Sequence, residues 1–133
     1  MKILTLDERL AKVAEWRKAG YNCSQCVFMA FSDVHGVPED QAARISGGLG
    51  GGVGGQHQVC GAVAAMSMVL SAVHLPDPSC KKATYGVIQQ KSEEFKVHNG
   101  SIVCADLLAD RPNRKPCAAY IEDAIRIIDR SLD

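Results

Sequence analysis

Residues 59–75 read VCGAVAAMSMVLSAVHL, seventeen consecutive positions without Asp, Glu, Lys or Arg. That length lies at the lower limit for crossing a bilayer. The stretch is rich in Ala and Ser, has no Lys or Arg at its start and sits among amphipathic segments. It therefore reads as the buried central helix of an all-α protein, not as a membrane span.

Helix signals recur on both sides of it, and strand signals do not. Thr5 with Glu8 makes a capping box, Leu6, Leu10 and Val13 mark one face, and Gly20 stops the first helix. Asn22 with Gln25 opens a second helix that runs through Cys26, Ala30, Phe31 and Val34 to Gly36. A short third helix starts at Pro38 and ends in the glycine run, and the apolar stretch makes the fourth, closed by Pro76. Asp77 and Pro78 open a long fifth with a stripe of Ala83, Val87, Ile88 and Phe95, ending at Asn99 and Gly100. Ser101 caps a short sixth through Leu108, and the link ADRPNRK leads to a last helix with Pro116 as its first residue. There Cys117, Ile121, Ala124, Ile125, Ile128 and Leu132 share a face. The expected fold is a bundle of six or seven helices around the small-residue helix 59–75. No repeat or low-complexity linker divides the chain, so residues 1–133 read as one domain.

Fifteen basic and fifteen acidic side chains cancel, with no basic stripe or acidic tail, which argues against nucleic acid or an anionic membrane as partner. The start, MKILTLDERLAKVAEW, has no uninterrupted apolar core and no cleavage site of a secretory signal, so a reducing cytoplasm is the expected compartment. In that setting six cysteines read as redox, metal-binding or buried thiols ahead of a permanent disulfide framework.

The segment GGLGGGVGG (47–55) holds seven glycines in nine positions, although glycine is the costliest residue to order. Gly50, Gly52 and Gly55 formally match the dinucleotide fingerprint G-x-G-x-x-G, but the run follows a helical pattern, not a strand. A P-loop fails because Gln56 and His57 stand where Lys and Ser or Thr are needed. What remains is a thin backbone, Gly50, Gly51, Gly52, Gly54, Gly55 and Gly61, that either cradles a ligand or lets helices close up.

The thiols fall at helix starts. Cys23 follows the cap Asn22, Cys60 opens the central helix, Cys104 is three after Ser101, and Cys117 follows Pro116. Exposed N–H groups and the helix dipole there stabilise a thiolate and can bring its pKa from about 8.5 to between roughly 3.5 and 7.5. Cys23 with Cys26 also forms a C-x-x-C, in which a first thiol attacks and a second resolves. The competing reading is packing, since Cys26 and Cys117 each lie on an apolar stripe. Without a second C-x-x-C or an H-x-x-x-H a zinc finger is disfavoured, while a converging four-thiolate site for zinc or an iron–sulfur cluster stays open. Covalent c-type haem is excluded because Val27 follows Cys26. His57, three before Cys60, would serve as a base or ligand, or stand as a solvated loop residue.

GYNCSQCVFMAF (20–31), GGLGGGVGGQHQVCGAVAAM (47–66), GSIVCADLL (100–108) and PCAAYIEDAIRII (116–128) together resemble the C_GCAxxG_C_C family, whose members are described as redox-active. The resemblance covers about residues 6–130 and implies Cys23, Cys60, Cys104 and Cys117 as the signature cysteines, with Cys26 and Cys80 outside it. The core motif Cys60-Gly61-Ala62 ends in Ala65 where the family has glycine. Members lie near transporter genes, which implies a transport or ion-handling context. The glycine run and CGA are also similar to a segment of split-Soret-type multihaem cytochromes, although this chain lacks haem attachment motifs.

Three functions follow as expectations. The first is a thiol–disulfide redox protein, a candidate thiol–disulfide oxidoreductase, in which Cys23 or Cys60 reacts with a partner protein or a small thiol or oxidant and another signature cysteine resolves the product. The second is a cofactor- or metal-binding module with the same four cysteines as ligands and the glycines admitting the group. The third is a structural or adaptor protein with inert buried thiols. A compact helical domain with a bare apolar central helix would also dimerise with a second copy.

Overall fold

The computed structural model describes residues 3–74, 77–109 and 114–132, and they form an all-α structure. In chain order the helices are α1 (Leu6–Ala19), α2 (Cys23–Met29), α3 (Ser32–His35), α4 (Glu39–Ser46), α5 (Gly61–His74), α6 (Lys81–Asn99), α7 (Cys104–Ala109) and α8 (Cys117–Ser131). Short 3-10 turns at Gly47–Leu49 and Pro78–Cys80 follow α4 and precede α6. Among the described residues no helix is long and apolar enough to cross a membrane.

α5 is the central helix. It buries Ala62, Val63, Ala65, Met66, Val69 and Leu70, and it packs against α2, α6 and α8. Its small residues let those neighbours approach closely, and the larger Met66, Val69 and Leu70 fill the interior beside Phe95 of α6 and Ile121, Ile125 and Ile128 of α8. The helix begins at Gly61, two residues later than the expected 59, because Val59 and Cys60 are engaged elsewhere. Leu75 and the expected stop at Pro76 lie outside the described residues, as do positions 110–113 of the link to α8.

Local chemistry sets several boundaries as the sequence predicts. The Thr5–Glu8 capping box opens α1, an Asn22–Gln25 capping box opens α2, and left-handed glycines end α1, α3 and α6 at Gly20, Gly36 and Gly100. Pro38 and Pro116 stand just outside their helices as caps, not as first helical residues. Asp77 caps the 3-10 turn through the Ser79 amide, and α6 itself starts at Lys81. On α6 the inward residues are Thr84 and Phe95, with Val87 and Ile88 half-buried; Ala83, expected on the stripe, is exposed.

The expected second helix, Asn22 to Gly36, is two helices. The break comes at Ala30 and Phe31, where the Ala30 carbonyl accepts a hydrogen bond from the guanidinium of Arg9. Arg9 is fully buried. It donates to Asp33 of α3 through both terminal nitrogens, at 2.7 and 3.0 Å, stands 3.5 Å from Asp129 of α8 and stacks over the Phe31 ring at 4.3 Å. One side chain thus ties α1 to α2, α3 and α8.

Burial alone would raise the Asp33 carboxyl. The Arg9 hydrogen bonds, the amides of Leu4 and Ile3 and the Arg9 charge outweigh it and hold Asp33 down at about 2. A depressed carboxyl stabilises the fold fully above its unfolded value near 4, and that contribution, about 2 kcal/mol, is lost as the pH falls through the folded value. Asp33→Asn, which leaves the buried Arg9 charge underpaired, is expected to cost about 3 kcal/mol in urea denaturation at pH 7. Its deficit against the wild type should shrink as the pH is lowered from about 4 toward 2.

Candidate functional site: a cavity ringed by four cysteines

The start of α2 docks on the end of α4 through polar side chains that take up carbonyls the helix end leaves unpaired. Asn22 donates to the Gly47 carbonyl, Ser24 to that of Ser46 and Gln25 to that of Ala43, at 2.8–3.0 Å. Cys23, the first residue of α2, is held between these anchors and faces the start of α5.

Cys60 and Cys104 are set side by side by a strand-like clip. Val59 and Val103 form an isolated antiparallel bridge, the Cys60 amide donates to the Ile102 carbonyl at 2.7 Å, and the Cys104 amide donates to the Gln58 carbonyl at 2.6 Å. Ser101 accepts from the Val103 amide and donates to Asp106, so it caps the turn before α7, and Cys104 becomes the first helical residue. Cys60 sits immediately before α5, and Gly61 follows it at a point with no room for a side chain. A Cβ there would lie 2.5 Å from the Cys23 sulfur and 3.0 Å from the Leu49 carbonyl oxygen.

The glycine run is a left-handed coil over this junction. Gly51, Gly52, Val53, Gly54 and Gly55 all have positive φ, between 60° and 77°, and His57 has φ of 60°. The turn is closed by backbone hydrogen bonds, among them Gly54 to Gly48, His57 to Gly51 and Gln58 to Gly52. Five successive left-handed residues are accessible at low cost only to a chain that is mostly glycine. At Gly52 a Cβ would also strike the backbone of His57 and Gln58. Val53 is the exception, a β-branched residue in a strained conformation.

Beneath the coil lies a cavity of about 70 Å³ lined by Cys23, Cys60, Cys104 and Cys117 with Gly51, Gly52, Gly61, Leu107, Leu108 and Tyr120. The Tyr120 hydroxyl accepts from the Lys115 amide, which fixes the start of α8 and with it Cys117. All six cysteines are free thiols, and their exposure is graded: Cys60 is buried, Cys23 and Cys104 are half-buried, and Cys117 is exposed.

The four sequence-predicted cysteines are therefore brought together at one cavity. Of the six predicted glycines, Gly51, Gly52 and Gly61 line it, while Gly50 packs against the Asn22 side chain and Gly54 and Gly55 have open space around them. Cys26 is fully buried and Cys80 lies by Ser79; neither lines the cavity, and nor does the exposed His57. Cys117 does not pack on the apolar stripe of α8 as its spacing suggests. Among the described residues no group of three or more His, Cys, Asp or Glu is arranged to hold a metal ion.

The expected lowering of thiol pKa at helix starts fails at two of the four. Burial pushes Cys60 up to about 11, against the Val63 and Ala62 amides that face its sulfur, and the neighbouring Cys23 and Cys104 push the same way. Burial likewise raises Cys104, reinforced by Cys23 and Cys117. Cys26 is raised to about 11 by burial, which removes the C-x-x-C as a source of a ready second thiolate. Desolvation in this apolar setting outweighs the helix-start donors.

The order of these four cysteines along the chain is a family signature. A family model described as "Putative redox-active protein (C_GCAxxG_C_C)" matches residues 21–131. The chain belongs to this family. Membership supports a redox-related function. No curated protein and no solved structure matches the chain.

Two substitutions test this geometry. Gly61→Ala is expected to destabilise by about 1–3 kcal/mol through the clash with Cys23 and Leu49, and Cys23→Ala in the same chain should recover part of that loss in a double-mutant cycle by urea denaturation. Val53→Asn, at an exposed site whose φ suits Asn, should stabilise by about 1 kcal/mol in the same assay.

Proposed function

We propose that the protein carries out thiol–disulfide exchange, with Cys117 as the thiol that meets the partner and Cys104 as the thiol that resolves the product. The observation that carries this reading is the single cavity shared by four free thiols, only one of which is exposed. A buried thiol pushed up to about 11, as at Cys60, has about one part in ten thousand as thiolate at neutral pH and is poorly placed to meet a partner. The first attack therefore passes from Cys23 or Cys60, the positions the sequence favours, to Cys117.

In the forward step the Cys117 thiolate attacks a disulfide R–S–S–R′, forming Cys117–S–S–R and releasing R′–S⁻. Cys104 then attacks the Cys117 sulfur, the Cys104–Cys117 disulfide forms, and R–S⁻ leaves and takes up the Cys104 proton. Exchange of Cys104 with Cys23 or Cys60 moves the disulfide inward. A small disulfide or a partner protein's disulfide serves equally as oxidant for this scheme, since only the exposed edge is contacted.

The test is the reaction of the reduced protein with oxidised glutathione, followed by mass-spectrometric mapping. Cys104→Ser should accumulate a glutathione mixed disulfide on Cys117, and Cys117→Ser should slow disulfide formation roughly tenfold or more. Wild-type rates in Cys117→Ser would contradict the proposal. In the native reduced protein, alkylation of Cys117 should precede that of Cys60, and the Cys60 rate should climb steadily as the pH rises toward 11.

A further inference from the structure

A disulfide exchanger needs two thiols, and here four surround a space that neither a peptide nor glutathione can enter. At about 70 Å³ the cavity is well below the roughly 150 Å³ that admits benzene, so its occupant is an atom or a few atoms. Among the described residues its wall is made of thiols, glycine backbone, Leu107, Leu108 and Tyr120, with no Asp, Glu, Lys, Arg or His. Sulfur passing between thiols needs no charged side chain there, because the charge stays on sulfur throughout.

We infer that the cavity holds one sulfane sulfur atom, carried as a persulfide on Cys104 and delivered through Cys117. This rests on the reading of Cys117 as the thiol that meets the partner, and it names the cargo class of the same site. Cys104 lines the cavity with the other three, and the Val59–Val103 clip sets it beside Cys60. The co-reactant is a low-molecular-weight persulfide, R–S–SH. The Cys117 thiolate attacks its outer sulfur, the bond from that sulfur to Cys117 forms, the S–S bond of the donor breaks, and R–S⁻ leaves. Cys104 then attacks the outer sulfur of the Cys117 persulfide, the new Cys104 persulfide forms, and the Cys104 proton passes to Cys117. The net change is R–S–SH + Cys104–SH to R–SH + Cys104–S–SH, with no net oxidation.

The left-handed coil at Gly51 and Gly52 covers the cargo, and the narrow cavity bars external thiols from it. The buried Cys60 thiol stays protonated beside it and does not expel the sulfur as hydrosulfide.

The experiment treats the reduced full chain anaerobically with glutathione persulfide, removes excess reagent, and reads intact mass and alkylated peptides. The expected result is a gain of one sulfur atom per chain located on Cys104. Loading should be on the order of tenfold slower in Cys117→Ser, and in Cys104→Ser the sulfur should remain on Cys117 and be lost to free glutathione on the order of tenfold faster. Sulfur found chiefly on Cys80, or immediate hydrosulfide release with a Cys23–Cys104 disulfide, overturns the inference. So does the absence of any sulfur gain. If oxidised glutathione still produces the Cys104–Cys117 disulfide in that same preparation, a loss of two hydrogens and not a gain of sulfur, the exchange reading stands and the carrier inference alone falls.

Discussion

The backbone of Gly61 passes so close to the Cys23 sulfur that a single added carbon would collide with it and with the Leu49 carbonyl. The rest of the site depends on that approach. It brings the start of α5 against the start of α2, it lets the glycine coil fold down over both, and it leaves the Cys60 and Cys23 sulfurs on the wall of one cavity. Side chains at these positions would separate the helix starts by the width of a methyl group or more, and the four thiols would no longer share a space. The glycine run therefore serves close approach and left-handed geometry together, and both requirements fall on the same few residues.

Around that contact the molecule spends its polar side chains on holding helix ends. Asn22, Ser24 and Gln25 take the carbonyls at the end of α4, the Val59–Val103 clip ties α5 to α7, and Tyr120 receives the Lys115 amide ahead of α8. On the far side of α2 the Arg9–Asp33–Asp129 cluster fixes α1, α3 and α8 relative to one another. A cavity whose thiols come from four separate segments needs such anchors, because thiol chemistry between them depends on how they are positioned.

Much of this was legible in the sequence where the cause is local. The capping boxes at Thr5 and Asn22, the glycine stops and the apolar run of α5 depend on residues within one turn of each other, and they appear where the pattern puts them. The gathering of Cys23, Cys60, Cys104 and Cys117 was foreshadowed by their common position at helix starts. What was not legible depends on contacts between distant segments. Burial raises Cys60 and Cys104 against their local donors, and the clip joins residues 59 and 103 across forty-four positions. Arg9 left one trace, since it stands with Leu6 and Val13 on the inward spacing of α1. The split of the second helix follows from that side chain and could not be read without it.

The proposed chemistry depends on four thiols acting as one chemical unit. The most direct measurement is a map of the disulfides formed when the native reduced protein is titrated with less than one equivalent of a thiol oxidant. Cross-links within the chain should join members of the set Cys23, Cys60, Cys104 and Cys117, with Cys104–Cys117 appearing first and Cys26 and Cys80 remaining free. Early cross-links through Cys80 or Cys26, or disulfides formed mainly between chains, would contradict it.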